Sequence, residues 1–189
     1  MKMTEIRWHG RGGHGTVTAG ILLAEAAVQS GLVARTFPNF GPFRRGNPVL
    51  VFTRVSSGPI RERGPIKAPD VVVVMDKALL INGGALDGLK AESVLIINTT
   101  QELVELSRQV AGLLSERKLK VVAVDATGIA IEELGAPFAS TTILGAVIRA
   151  TGIVDLEAIS AAVKARLPVA DWDRNLRAIQ RAHYTARQN

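Results

Sequence analysis

The stretch "TEIRWHGRGGHGTVTAGILLAEAAVQSG" (residues 4–31) changes its hydrophobic pattern once, at a run of glycines. Residues 4–10 have the length and composition of a β-strand. From residue 16 onward, Val17, Ile21 and Val28 recur at helical spacing until Gly31, a residue type that often ends a helix. The stretch therefore predicts a strand, a tight turn and a helix.

The rest of the chain continues this alternation and then becomes helical after residue 125. Strands are predicted at 32–38, 48–56, 70–76, 93–98 and 120–126, and helices at about 101–114, 140–152, 155–167 and 171–188. The pattern predicts one α/β domain over residues 1–189, Rossmann-like, with a helical C-terminal part. We expect a mainly parallel sheet covered by helices on both faces.

The composition excludes several kinds of site. The chain has 189 residues and no cysteine, so it supplies no disulfide and no thiolate for an iron–sulfur cluster. Three scattered histidines do not have metal-ligand spacing, and His183 in a polar helix is interpreted as a surface residue. We expect no metal site, no membrane span and, without a signal peptide, a cytoplasmic location.

The charge of the chain is strongly basic, with a formal net charge of +6 and a pI of about 10.2. Small anionic ligands, an acidic subunit and nucleic acid are all compatible with this surplus. Aromatic residues make up only 4% of the chain and form no spaced stacking set. Nucleic acid is therefore the least favoured of the three partners.

The glycine run satisfies the dinucleotide-binding spacing G-x-G-x-x-G with Gly10, Gly12 and Gly15. Two interpretations remain open: an anion held by the amides that start the helix, or a turn that only permits close packing. A nicotinamide site is disfavoured, because the predicted second strand ends in "RTFP" without the acidic residue that holds ribose. Arg35 in that strand would instead suit the ribose phosphate of NADP.

Polar residues end three predicted strands at one edge of the sheet. Asp76, Asn98 and Asp125 occupy these ends, where ligands of parallel sheets usually bind. The same residue types also cap the helices that follow, and capping is the favoured interpretation.

Four longer motifs together resemble the gamma subunit, or gamma domain, of 2-oxoacid:ferredoxin oxidoreductases that use thiamine diphosphate. They are "RWHGRGGHGTVTAGILLAEAA" (7–27), "FPNFGPFRRGNPVLVFTR" (37–54), "PDVVVVMD" (69–76) and "DATGIAIEELGAPFASTTILGA" (125–146). The resemblance covers roughly residues 4–185. The paired motifs GxGGxG and FPxFGPxRRG are far more specific than a lone glycine loop.

The resemblance implies a division of labour among subunits. The complex oxidatively decarboxylates a 2-oxoacid with coenzyme A to an acyl-CoA and CO2, and passes electrons to ferredoxin or to an NAD-reducing partner. Alpha and beta chains hold thiamine diphosphate and Mg²⁺, and a delta-type chain holds [4Fe-4S] clusters. This chain then binds no cofactor alone, carries no catalytic residue and is inactive when isolated; a free-standing NADP-binding enzyme and a basic nucleic-acid-binding module are the alternatives.

The residues expected to meet coenzyme A or another active-site anion lie in two of these motifs. They are Gly10, Arg11, Gly12, Gly13, His14, Gly15, Arg44 and Arg45. The adjacent arginines suit bidentate contact with phosphate or carboxylate, although a surface pair or an intersubunit salt bridge fits as well. The family usually has Gln at position 14 and Glu at position 43, where this chain has His14 and Phe43. The exchange at Phe43 fits an aryl substrate such as phenylglyoxylate in place of pyruvate or a branched-chain oxoacid, and equally fits ordinary variation within the family.

Overall fold

A computed structural model of the chain describes residues 3–39, 47–102, 105 and 118–188. Its strands are β1 (Met3–Arg11), β2 (Val33–Asn39), β3 (Pro48–Ser56), β4 (Val71–Val74), β5 (Val94–Asn98), β6 (Lys120–Val124) and β7 (Arg187–Gln188). The α-helices of the described part are α1 (Thr16–Gln29), α2 (Leu79–Asn82), α3 (Ala126–Leu134), α4 (Ala139–Thr151), α5 (Leu156–Arg166) and α6 (Trp172–Thr185). None of these helices is long and apolar enough to span a bilayer.

The strands form one seven-stranded sheet in the order β2-β3-β1-β4-β5-β6-β7. The four strands β1, β4, β5 and β6 pair in parallel, whereas β3 runs antiparallel to both of its neighbours and β7 runs antiparallel to β6. Five of the seven strands, β2 among them, consequently point in the same direction. The predicted α/β fold with a mainly parallel sheet is confirmed.

Successive side chains of the central strands point to opposite faces of the sheet and belong to two separate apolar cores. On one face, Ile6 and Trp8 belong to a core that also includes side chains of α1 and of the C-terminal helices α3 to α6. On the other face, Val72 and Val74 pack with Leu79 of α2 and with apolar residues from the following segment. Burial on both faces explains why β4 has an uninterrupted valine run, and it confirms the prediction of helices on both sides.

Strand β3 lies between β1 and β2 and is antiparallel to both. The hydrophobic periodicity predicts this strand but not its position beside β1. β3 pairs with β1 from Arg11↔Pro48 to Met3↔Ser56, and β2 forms the outer edge of the sheet. The end of β2 is therefore not adjacent to β1. An acidic residue at the end of the second strand binds ribose only where that strand lies next to β1. Because β3 separates β2 from β1, the lack of such a residue at the end of β2 is no evidence against a ribose site beside the glycine run.

One further sequence prediction differs from the structure, and one is not tested by it. The helix predicted over residues 171–188 ends at Thr185, where Ala186 adopts an extended backbone and Arg187–Gln188 pair with β6. The helix predicted at about 101–114 lies mostly outside the described residues.

Helices α4 and α6 cross closely at Gly145. A Cβ atom on Gly145 would lie 2.1 Å from the carbonyl oxygen of Ile179 and 2.7 Å from the backbone nitrogen of His183. The ring atom Nδ1 of His183 lies 3.2 Å from the Gly145 carbonyl oxygen, and the side chain is half-buried. His183 is therefore a partly exposed residue of a helix interface, a contact that its interpretation as a surface residue did not include.

Candidate functional site

The glycine run connects the carboxyl end of β1 to the start of α1, as the sequence predicts. Gly13 and Gly15 have φ angles of 93° and 73°, a region that side chains with a Cβ rarely adopt. A Cβ on Gly10 would lie 1.9 Å from Thr16 Oγ1, and one on Gly15 would lie 2.6 Å from the side chain of Ser140. Close packing thus explains Gly10 and contributes to Gly15, whereas exposed Gly13 faces solvent.

The first turn of α1 has no side-chain cap. Its N-cap residue is Gly15, and its first turn contains no acidic residue. The Gly12 amide donates to the Asn47 carbonyl oxygen (2.9 Å), and the His14 amide donates to the Arg11 carbonyl oxygen (3.1 Å). The helix start keeps a positive end of its dipole at the loop, which favours a nearby anion.

An open cavity of about 790 Å³ lies at this edge of the sheet, between the ends of β1, β4, β5 and β6. At β1 the chain changes the direction in which it adds strands. It continues through α1 to β2 and β3 on one side of β1, and it later adds β4 on the other side. Ligands of open α/β sheets bind at such a switch point. The lining residues are Gly12, Gly13, His14, Met75, Asp76, Lys77, Asn98, Thr99, Thr100, Asp125, Thr127, Pro137, Phe138 and Ala139.

Asp76 and Arg11 form an ion pair at the mouth of this cavity. Asp76 Oδ1 also accepts a hydrogen bond from the Ala78 amide (2.9 Å) at the start of α2. Partial burial alone would raise the pKa of Asp76, but hydrogen bonds from Arg11 and Ala78 and the charges of Arg11 and His14 lower it below its usual value. The carboxylate therefore offsets the charge of Arg11 at neutral pH.

Asn98 and Asp125 have structural tasks at the cavity floor. Asn98 Nδ2 donates to the Met75 carbonyl oxygen (2.9 Å) and to Thr127 Oγ1 (2.8 Å), which ties β4, β5 and α3 together. Asp125 caps α3 by accepting from the Gly128 amide (2.8 Å). The capping interpretation is confirmed for Asp125, whereas α2 has no side-chain cap, so capping by Asp76 is not confirmed. The expected convergence at one edge of the sheet is confirmed for all three residues.

The start of α4 is the part of the cavity that the sequence did not predict. The helix was predicted from residue 140, and the residues "STT" at 140–142 are of types that often cap helices. The helix begins at Ala139, and its N-cap residue, Phe138, provides no side-chain cap. The Thr141 hydroxyl is used inside the fold instead, since its Oγ1 donates to Asn175 Oδ1 (2.6 Å) on α6. The first turn of α4 also lacks acidic residues, so the N-termini of two long helices meet at the cavity.

A buried polar pair lies directly below the carboxyl end of β1. Arg7 and His9 are 6% and 2% exposed, and Arg7 Nε donates to His9 Nε2 (2.9 Å). Arg7 Nη2 also donates to carbonyl oxygens of the segment 83–89, with the shortest distance to Asp87 (2.6 Å). Burial and the Arg7 charge lower the pKa of His9 to about 4, against a hydrogen bond with the backbone of Gly83. His9 is thus a neutral acceptor that fixes Arg7 and this segment beneath the cavity edge.

The structure brings together part of the predicted anion-contact set. Gly12, Gly13 and His14 line the cavity, Arg11 is paired with Asp76, and Gly15 packs against α4. The predicted residues Arg44 and Arg45 lie outside the described residues. Within the described ranges, no three His, Cys, Asp or Glu side chains come close enough together to hold a metal ion.

Comparison with known proteins extends over nearly the whole chain. The family model described as "Pyruvate ferredoxin/flavodoxin oxidoreductase" matches residues 5–184. The "Pyruvate/ketoisovalerate oxidoreductases common subunit gamma" of Thermococcus kodakarensis is 45% identical over 180 residues, which are 95% of each chain. The "Pyruvate synthase subunit PorC" of Methanothermobacter marburgensis is 40% identical over 181 residues, which are 96% of each chain.

A solved structure has the same fold over its full length. The pyruvate oxidoreductase subunit PORC of Thermotoga maritima superposes with a TM-score of 0.86 at 35% identity, and the match covers 100% of this chain and 99% of that one. The chain therefore belongs to the pyruvate ferredoxin/flavodoxin oxidoreductase family.

Proposed function

We propose that this chain is the gamma subunit of a multi-subunit enzyme that oxidatively decarboxylates a 2-oxoacid with coenzyme A, and that its cavity receives an anionic group of coenzyme A or of the oxoacid. The products are an acyl-CoA, CO2 and a reduced acceptor such as ferredoxin. Relatives named for pyruvate and ketoisovalerate favour pyruvate or a branched-chain oxoacid as the substrate class.

The observation that carries the anion site is the meeting of two uncapped helix starts at one open cavity. The first turns of α1 and α4 both lack acidic side chains, and Gly15 brings them into contact through Ser140. Backbone amides at these positions stabilise negative charge without moving a side chain. Lys77, exposed at the same cavity, adds a cation that the sequence did not single out.

The proposal assigns thiamine diphosphate, Mg²⁺ and the [4Fe-4S] clusters to other subunits. A chain without cysteine has no thiolate to offer a cluster. Thiamine diphosphate supplies the carbanion chemistry of decarboxylation in such a complex. The role of this chain is then to bind and orient the co-substrate and to complete the assembly. Arg44 and Arg45 remain anion-contact candidates on sequence grounds alone.

A pair of glycine substitutions tests the cavity at equal backbone strain. Gly13 lies at the cavity, whereas Gly31 lies beyond the other end of α1 with a φ of 79° and open space around it. Alanine at either position would have to adopt a positive φ, which costs roughly 1–2 kcal/mol for a residue with a Cβ. Gly13 lines the cavity and Gly31 does not. We therefore expect the KM of the assembled complex for coenzyme A to rise about 10-fold in Gly13→Ala and to stay unchanged in Gly31→Ala. Equal KM values in the two variants, at equal complex yield, would show that the glycine run is only a packing turn.

A further inference from the structure

The loop between β3 and β4, residues 57–70, carries an exposed cluster of positive charge. We call it the basic loop. Arg61, Arg63 and Lys67 are exposed on it. Its two carboxylates are Glu62, whose Oε2 accepts from the Arg61 amide (3.1 Å), and Asp70, which forms an ion pair with Lys90 (2.9 Å). β3 ends beside the amino end of β1, so this loop lies at the sheet edge opposite the cavity.

The cations of the basic loop have no carboxylate partner among the described residues, unlike five arginines of the C-terminal part. Arginines of the C-terminal part form ion pairs, among them Arg166 with Glu25 (2.5 Å), Arg177 with Glu133 (3.0 Å) and Arg187 with Glu102 (2.6 Å). Within the described parts of the chain, none of the three loop cations lies within ion-pair distance of a carboxylate. Three cations without such a partner therefore lie close together, within residues 61–67.

Buried groups hold the backbone of the basic loop in one shape. Arg54 is 3% exposed, and its guanidinium donates to the carbonyl oxygens of Glu62 (3.4 Å) and Gly64 (2.9 Å) while Nε donates to Glu5 (2.9 Å). Ile66 is buried, and the Lys67 carbonyl packs so closely on Gly88 that a Cβ there would lie 2.0 Å from the oxygen. Three prolines at positions 59, 65 and 69 restrict the backbone further.

A loop anchored in this way presents its charged side chains from a fixed frame. Binding a partner then orders only side chains and not the backbone, which lowers the entropic loss of association. Two arginines in such a frame suit bidentate hydrogen bonds with carboxylates. Residues 57–70 contain no aromatic side chain on which bases stack, and Glu62 repels phosphate.

From these contacts we infer that the basic loop docks onto an acidic, Asp- and Glu-rich surface of a neighbouring subunit. This inference rests on the proposed function, because the partner is another chain of the same complex. The loop and the cavity lie at opposite edges of the sheet, so one chain contacts the co-substrate at one end and a neighbouring subunit at the other.

The test compares two triple variants of the co-expressed complex. Arg61→Ser/Arg63→Ser/Lys67→Ser removes the loop cations, and Arg149→Ser/Lys164→Ser/Arg174→Ser removes three exposed cations elsewhere for the same change in net charge. Native mass spectrometry along an NaCl gradient measures dissociation of this chain from the complex. We expect the loop variant to dissociate about 10-fold more readily at physiological salt and with a weaker salt dependence, and the control to stay within 2-fold of wild type.

Each other outcome has a separate meaning. If both variants dissociate like the wild type, the docking inference is wrong and the proposed function stands. If the wild-type chain assembles with no other subunit, the proposed function itself fails. Loss of salt-dependent binding to random DNA, with assembly unchanged, would assign the loop to nucleic acid and overturn the inference. If the loop triple variant has a lowered Tm, the single change Arg63→Glu provides the same comparison.

Discussion

The two faces of β1 are buried by different physical means. Toward α1 and α4, Ile6 and Trp8 are fully buried among apolar side chains, and Trp8 Nε1 donates to Thr53 Oγ1 (3.0 Å). Toward the segment 83–89, Arg7 and His9 are buried as a polar pair whose partners are each other and backbone carbonyls. Apolar packing responds to changes in volume, whereas a buried polar pair fails when one partner is lost or changes its charge.

The largest effect is expected from removing the guanidinium on the polar face. Arg7→Met keeps the volume of the side chain but leaves His9 Nε2 and the carbonyl oxygens of Gly84, Ala85 and Asp87 without their donor. We expect the free energy of unfolding to fall by about 3–5 kcal/mol, measured by urea denaturation. Arg35→Met, on an exposed site of β2, is the control and is expected to change it by less than about 0.5 kcal/mol. Similar losses in both variants would contradict a special role for the buried pair.

Acid should break the same pair without any mutation. The pKa of His9 is about 4 in the folded protein and about 6.5 when unfolded, so the unfolded chain binds one more proton between these values. The stabilisation is complete above pH 6.5 and is lost as the pH falls to about 4, and the total is on the order of 3 kcal/mol.

His9→Gln isolates this contribution, because glutamine keeps an acceptor for Arg7 and does not titrate. Unfolding free energies measured from pH 7.5 to 4 should decline less steeply in His9→Gln than in wild type. A wild-type slope in His9→Gln would mean that other groups cause the acid sensitivity.

The apolar face should respond to added volume, with a smaller effect. In Gly145→Ala the new methyl group would lie 2.1 Å from the Ile179 carbonyl oxygen, so α4 and α6 must move apart. We expect a loss of about 2 kcal/mol, because overpacking outweighs the better helix propensity of alanine. Gly64→Ala, with no atom within 4 Å of its Cβ, is the matched control. An unchanged Tm in Gly145→Ala would show that the helix crossing is loosely packed.

Hydrophobic periodicity predicted the elements on the apolar face well. The strand predicted at 48–56 and the helix predicted from residue 16 agree with β3 and α1 at those positions. Periodicity is a local property, however, and it does not say which strands are neighbours. The insertion of β3 beside β1 and the short strand β7 depend on contacts between distant residues, and sequence reasoning missed both.

The polar face shows a second limit of sequence reasoning. Arg7 and His9 alternate with Ile6 and Trp8, which is the pattern of residues that face solvent. Their burial depends on the segment 83–89, far along the chain, and no local pattern announces it. At the candidate site, the glycine run and the strand-end residues Asp76, Asn98 and Asp125 were predictable from motif and position. The position of the α4 start at the cavity was not predictable, because the hydroxyl residues there are of types that cap helices, whereas the Thr141 hydroxyl instead bonds to Asn175 on α6.

The central place of β1 has a consequence for amide hydrogen exchange. β1 is hydrogen-bonded along both sides, to β3 and to β4, and its carbonyl oxygens at Glu5 and His9 also accept from the amides of Asp70 and Met75. Amides in such a strand exchange with solvent only when the whole sheet opens, whereas the edge strands β2 and β7 are released by local fraying. β1, which leads into the glycine run, is thus among the last parts of the molecule to lose its structure. The edge strands can open and close without displacing β1.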